Sequence, residues 1–295
     1  MKKLLALISA ALILVSLLPA AHAMQGNSVV YDQDEYEKLT EFFDFVDADG
    51  VRNGDKIAPD FPPEDPDDWI VFTTPYYIQG VFWSDDGHEA HVTSIELASF
   101  SLAGELDLSG FEWLEDVFIM DNELTGIDVS GSEQLDSLIC SMNELTHIEL
   151  DDTPSLEMLE LEENRITAID LSGCPSLNWL NCGDNELSEI DLSPCPGINI
   201  LNCFSNKLTD IDVSECDALE MLDCSGNMIN ELDISGNAWI NDLNVSGNPI
   251  SSLDLTHAAY LESLNCSDTG ITELDLSKNK LLDDIVCDDD VEIIR

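Results

Sequence analysis

Leucine or isoleucine returns every 21 residues along most of this chain, at Leu114, Leu135, Leu156, Leu177, Ile198, Leu219, Ile240, Leu261 and Leu282, with no insertion or deletion. Three residues after each stands a second aliphatic: Val117, Leu138, Leu159, Leu180, Leu201, Leu222, Leu243, Leu264 and Ile285. A constant period of this length makes each unit one supersecondary element that buries its apolar face only by stacking on its neighbours. The chain is therefore expected to form a solenoid, with function on an extended face rather than in one pocket. Eight full repeats span 114–281, a partial ninth covers 282–295, and a degenerate first coil, VTSIELASFSLAGELDLSGFEW, occupies 92–113.

Each repeat states its pattern twice. In LNWLNCGDNELSEIDLSPCPG (177–197), L-x-x-L-x-C-x-x-N is echoed ten residues later by L-x-x-I-x-L-x-x-C. The first half predicts a short strand pairing in parallel with its neighbours about 4.8 Å apart, positions 4 and 6 pointing in and 3, 5 and 7 out. The echo predicts an extended second side, so neither side needs a helix. Asn at position 9 (Asn122, Asn143, Asn164, Asn185, Asn206, Asn227, Asn248) can both donate to and accept from turn backbone, a scaffold role.

The segments LNWLNCGDNELSEIDLS, INILNCFSNKLTDIDVS and LESLNCSDTGITELDLS resemble the 21-residue, cysteine-containing leucine-rich repeats of bacterial secreted proteins of the internalin J type. With the repeat pattern, the resemblance implies a mainly β leucine-rich-repeat solenoid with few helices, a parallel sheet on the concave face and an N-terminal α+β cap. It also implies a secreted or surface protein that binds other macromolecules.

Before the repeats, Lys2 and Lys3, the apolar run Leu4–Leu18 and Ala21-His22-Ala23 read as a bacterial signal peptide over 1–23, with the mature chain starting at Met24 and no transmembrane segment after it. Residues 24–91 are expected to cap the solenoid's first apolar edge. Within them, DQDEYEKLTEFFDFV carries a D-x-x-E capping box (Asp32, Glu35) and apolar residues Tyr36, Leu39, Phe43 and Val46 at helical spacing. FWSDDGHEAHVTSIEL reads as a hairpin about Asp86-Gly87. DFVDADGVRNGDKI fails the calcium-loop spacing in either register and reads as an acidic turn.

The net charge of −51 makes nucleic acid and anionic membranes poor partners. Six of the nine cysteines, Cys140, Cys182, Cys203, Cys224, Cys266 and Cys287, fall at inward position 6, filled elsewhere by Ile119, Leu161 and Val245. Cys174, Cys195 and Cys216 all fall at position 19. They are expected to be reduced, forming a ladder of small hydrophobes rather than disulfides, because neighbouring parallel strands hold Cβ atoms too far apart. None of the histidines has an evident nucleophile beside it. Asp85, Asp86, His88 and His91 offer at most a metal-ligand set in a solvated hairpin, so no enzymatic role and no cofactor are expected.

Two outward columns stand out. Position 3 runs Met158, Trp179, Ile200 and Met221 in four consecutive coils, with Phe204 at position 7 beside them. Position 5 presents amides at Asn181 and Asn202. These seven residues are the expected contact surface for a protein partner, or alternatively a glycan. Position 15 carries Asp128, Glu149, Asp170, Asp191, Asp212, Asp233, Asp254 and Asp275. Mutual repulsion there should raise their pKa values unless cations intervene, so weak calcium binding, with Asp170, Asp191, Asp212 and Asp233 as the candidate ligands, supports a second expectation: an acidic, divalent-cation-stabilised structural protein of the cell envelope.

Overall fold

A computed structural model describes residues 30–58, 61–62, 66–74, 77–84 and 89–295; the proposed signal peptide and the Asp86-Gly87 turn lie outside them. Tyr31–Arg295 form one compact unit. Its main element is a twelve-stranded sheet that follows chain order. The strands are β1 (Ile70–Thr74), β2 (Tyr77–Trp83), β3 (Val92–Glu96), β4 (Asp116–Phe118), β5 (Ser137–Ile139), β6 (Met158–Glu160), β7 (Trp179–Asn181), β8 (Ile200–Asn202), β9 (Met221–Asp223), β10 (Asp242–Asn244), β11 (Ser263–Asn265) and β12 (Asp284–Val286). From β3 onward all neighbours are parallel, offset by 22 residues between β3 and β4 and by 21 from β4 on, while β1, β2 and β3 pair antiparallel. The protein is a leucine-rich-repeat solenoid, and the segment from 89 to 295 holds no helix.

Positions 4 and 6 are buried as the alternation requires: Leu159, Leu180 and Leu201 are fully covered, and so are Cys140 and Cys203. Asn at position 9 binds coil to coil. Asn164 Nδ2 donates to Cys140 O of the preceding coil at 3.2 Å and to Leu161 O at 2.9 Å, while its Oδ1 accepts from Leu145 N–H at 2.9 Å. One side chain thereby satisfies three backbone groups that a turn would otherwise leave orphaned. The residue just before this Asn takes a left-handed backbone, as at Asp184 (φ 48°) and Gly226 (φ 66°), which is why Gly and Asp recur there.

The second side of the coils is bonded more sparsely than the sheet. It forms a three-stranded sheet at Ala103–Asp107, Glu123–Asp128 and His147–Glu149, and a pair at Glu273–Asp275 and Glu292–Ile294. Through the middle coils it keeps a single backbone bond where each turn leaves the Asn, such as Glu186 N–H to Ile166 O at 2.9 Å and Lys207 N–H to Leu187 O at 2.8 Å. Strands must lie about 4.8 Å apart to share a ladder. The bonded side is therefore the tighter, concave one.

At the N-terminal edge, α1 (Gln33–Asp44) starts on an Asp32 cap whose Oδ1 accepts from Glu35 N–H at 3.0 Å. It buries Leu39, Phe42 and Phe43; Val46 lies beyond the helix end and is exposed, so it does not extend the buried face. Phe43, Phe61 and Trp69 pack edge to face and join the core that runs on into the repeats. The acidic turn after α1 is closed internally: Asp47 Oδ1 accepts from Asp49 and Val51 N–H, its Oδ2 pairs with Lys56 Nζ at 2.7 Å, and Gly50 takes φ 81°.

All nine cysteines are free thiols, eight buried and Cys287 partly so. Burial pushes the Cys182 and Cys224 thiols up to about 12 and Cys203 well above its ordinary range, so they pack as neutral hydrophobes. At position 19, Cys195 does more than fill space. Cys195 Sγ donates to Cys174 O of the coil before it at 3.2 Å, the same carbonyl position that Asn237 reaches at Cys216 and Asn279 at Ala258. Ser132 and Thr153 occupy this column as well, each donating to a nearby carbonyl, while Ala258 fills it with no donor, so small size is the shared requirement of the column.

Candidate protein-binding surface

The position-3 column is brought into direct register by the sheet: Met158 opposite Trp179, Trp179 opposite Ile200, Ile200 opposite Met221. Its flanks are polar, Ser137 on one side and Asp242 on the other. Met158, Trp179 and Met221 are half-buried, whereas Ile200, between two larger neighbours, is only 9% exposed. Phe204 lies down toward the neighbouring coil, its ring resting across Gly183. The apolar surface also continues diagonally through the half-buried pair Phe118 and Ile139, which oppose each other at position 5 of the two preceding coils. Reading position 3 alone misses this extension; position 5 of the same coils carries the signal.

The amides expected to face a partner are largely spoken for. Asn181 and Asn202 are 5% and 6% exposed. Asn181 Nδ2 donates to Glu160 at 2.9 Å and to Glu162 at 2.8 Å, and its Oδ1 accepts from Gly183 N–H. Farther along, Asn244 Nδ2 donates to Asp223 at 2.8 Å. The amide column thus knits neighbouring coils together, because outward side chains on strands this close reach one another before they reach solvent.

Three carboxylates not anticipated from the sequence stand on the same face as the apolar surface. Burial pushes Glu160 up to about 7, with the charge of Glu162 adding to it and hydrogen bonding from Asn181 and the Trp179 indole side opposing it. The indole Nε1 is itself buried with no partner at normal hydrogen-bond geometry. Toward the first coils, burial and the charge of Asp116 bring Glu96 to about 7, and Asp116 itself is raised to about 6 by burial, Asp136 and Glu115.

Position 15 behaves otherwise than mutual repulsion predicts. Asp170, Asp191, Asp212 and Asp233 each accept from the N–H two residues on, of Ser172, Ser193, Ser214 and Ser235, at 2.9 to 3.0 Å. Those hydrogen bonds hold all four carboxyls below the usual range, and Asp254 and Asp275 likewise. The D-x-S spacing of these turns is present in the sequence and is the signal that was available. Among the described residues, no three carboxylates of this column come within 4.8 Å of one another; that closeness is met instead by Asp32, Glu89 and His91. His91 stacks on Trp113 and sets Nδ1 3.4 Å from Glu35. Asp85, Asp86 and His88 lie outside the described residues.

The fold and this face define a leucine-rich-repeat protein whose accessible chemistry is a sheet surface. Among solved structures it is similar to the functional domain of InlJ from Listeria monocytogenes, described as including a cysteine ladder, at 28% identity and TM-score 0.51 over 68% of this chain and 56% of that one. It is also similar in fold to the APL1 leucine-rich-repeat domain (18% identity, TM-score 0.53, 63% and 59% covered) and to the LRIM1/APL1C complex (18%, 0.52, 67% and 42%). The chain thus spans between 42% and 59% of the length of these chains. No protein-family model matches the sequence, and no curated protein matches it.

Proposed function

We propose that this is a secreted or cell-surface binding module, and not an enzyme, that recognises a protein partner through the concave sheet between Met158 and Met221, in adhesion or in contact with a host or neighbouring cell. The observation that carries the reading is the apolar surface formed by Met158, Trp179, Met221 and Phe204, which polar Ser137 and Asp242 bound along the position-3 column. Aromatic and Met side chains grouped this way are the common anchors of protein interfaces. The likeness to InlJ and to a solved leucine-rich-repeat complex supports binding as the activity class. Among the described residues no helix is long and apolar enough to cross a membrane.

The glycan alternative loses support from the engaged Asn181 amide, and the cation-stabilised envelope reading from the hydrogen-bonded carboxylates of position 15. Affinity capture from bacterial and host surface extracts, with wild type and Trp179→Ala/Phe204→Ala side by side, tests the proposal. A partner held by wild type and weakened at least tenfold in the double variant supports it; a partner held equally by both removes the concave face from consideration.

A further inference from the structure

We infer that the occupant of this face is a basic protein segment, which seats an apolar side chain against Trp179 and Phe204 and delivers an arginine or lysine to the Glu160–Glu162 pair. This rests on the concave face being the docking surface and specifies what docks there. The first argument is charge complementarity. Positions 2, 3, 5 and 7 of the nine coils from Leu114 to Arg295 contain no Lys or Arg, while Glu157, Glu160, Glu162, Asp223 and Asp242 border the apolar surface. The nearby cations belong to another column: Arg165 pairs with Glu144 at 3.0 Å and Lys207 with Glu186 at 2.7 Å.

The second argument is geometric. Asn181 Nδ2 donates to one oxygen of Glu160 and to one of Glu162, holding two carboxylates together, Glu160 next to the Trp179 indole, and among the described residues no Lys or Arg pairs with either. Glu96, at the other end of the same face, has a buried oxygen without any hydrogen-bond partner. A buried carboxylate with no counter-charge costs free energy, which a guanidinium or ammonium removes on docking. A planar guanidinium is the better fit, since it bridges two carboxylates and stacks on an indole at once. An acidic or neutral partner would instead leave these groups desolvated and uncompensated.

The test uses the full chain and three synthetic twelve-residue peptides that alternate Leu with Arg, Gln or Glu, measured by fluorescence anisotropy at 0.15 M salt with EDTA present. The Arg peptide is expected to bind at least tenfold tighter than the Gln peptide. Glu160→Gln/Glu162→Gln should weaken it at least fivefold, whereas Asp191→Asn/Asp212→Asn, which removes at least as much charge from the far side, should change it less than twofold. Glu157→Gln, an exposed neighbour, gives an independent reading should the buried pair prove necessary for folding. Equal losses in the two double variants would mean general attraction to a polyanion and would overturn the inference. So would Gln and Arg peptides binding alike; if Trp179→Ala still abolished binding in that case, the docking face would stand and only the basic partner would fall. Binding indifferent to Trp179→Ala and to the glutamate variants would remove both.

Discussion

The ring of Phe204 lies across the Gly183 backbone so closely that a Cβ on Gly183 would stand 2.5 Å from Cζ and 2.7 Å from Cδ1. The glycine one coil before it leaves the space that this pose needs. Gly183→Ala should lift the ring and weaken partner binding by about tenfold, an interface loss of the usual size for a displaced aromatic anchor. Its effect on stability should be small, within about 1 kcal/mol, because Gly183 does not use a left-handed backbone. Side-by-side affinity and urea-melt measurements check this; a large loss of stability with unchanged affinity would contradict it.

Asn206 exemplifies the scaffold. Its Nδ2 reaches Cys182 O at 2.9 Å, Phe204 O at 3.1 Å and Cys203 O at 3.2 Å, and its Oδ1 accepts from Leu187 N–H at 2.9 Å. Asn206→Ala leaves several buried backbone groups unsatisfied and should cost about 2–4 kcal/mol. Removing a buried sulfur in Cys203→Ala should cost less, about 1–2 kcal/mol. Urea denaturation of the two variants decides the order, and the reverse order would mean that packing outweighs the turn bonds.

Stability should fall as pH rises from 5 to 8. Glu96 and Glu160 titrate near 7 in the fold against an ordinary value of 4.5, and Asp116 near 6 against 3.8. A raised folded pKa means the folded state holds more protons, so the stabilisation is complete below about pH 4 and is lost as pH passes through 6 and 7. The lowered aspartates of position 15 act in the opposite sense and only below about pH 4. Glu160→Gln should flatten the decline by on the order of 2 kcal/mol. A urea midpoint that rises between pH 5 and 8 would contradict the assignment.

Calcium should raise the melting temperature no more than sodium chloride at matched ionic strength, because Asp170, Asp191, Asp212 and Asp233 each already spend an oxygen on their own turn. Asp191→Asn/Asp212→Asn should respond like wild type. A calcium-specific shift lost in that variant would restore the cation-binding reading of the column.

The repeat period by itself determined the solenoid, the register of every strand from β4 onward, the inward cysteines and the position-9 asparagines. All of these follow from a 21-residue spacing combined with the two-residue alternation of a strand. It also placed Met158, Trp179, Ile200 and Met221 in one row, since residues at the same position of parallel coils become neighbours. Only the tertiary structure decided which of them remain accessible, that Asn181 turns to Glu160 and Glu162, and that Phe204 lies over Gly183. These outcomes depend on contacts between different positions of adjacent coils, about 5 Å apart. There the size of one side chain settles where the next can go, and no single column records that.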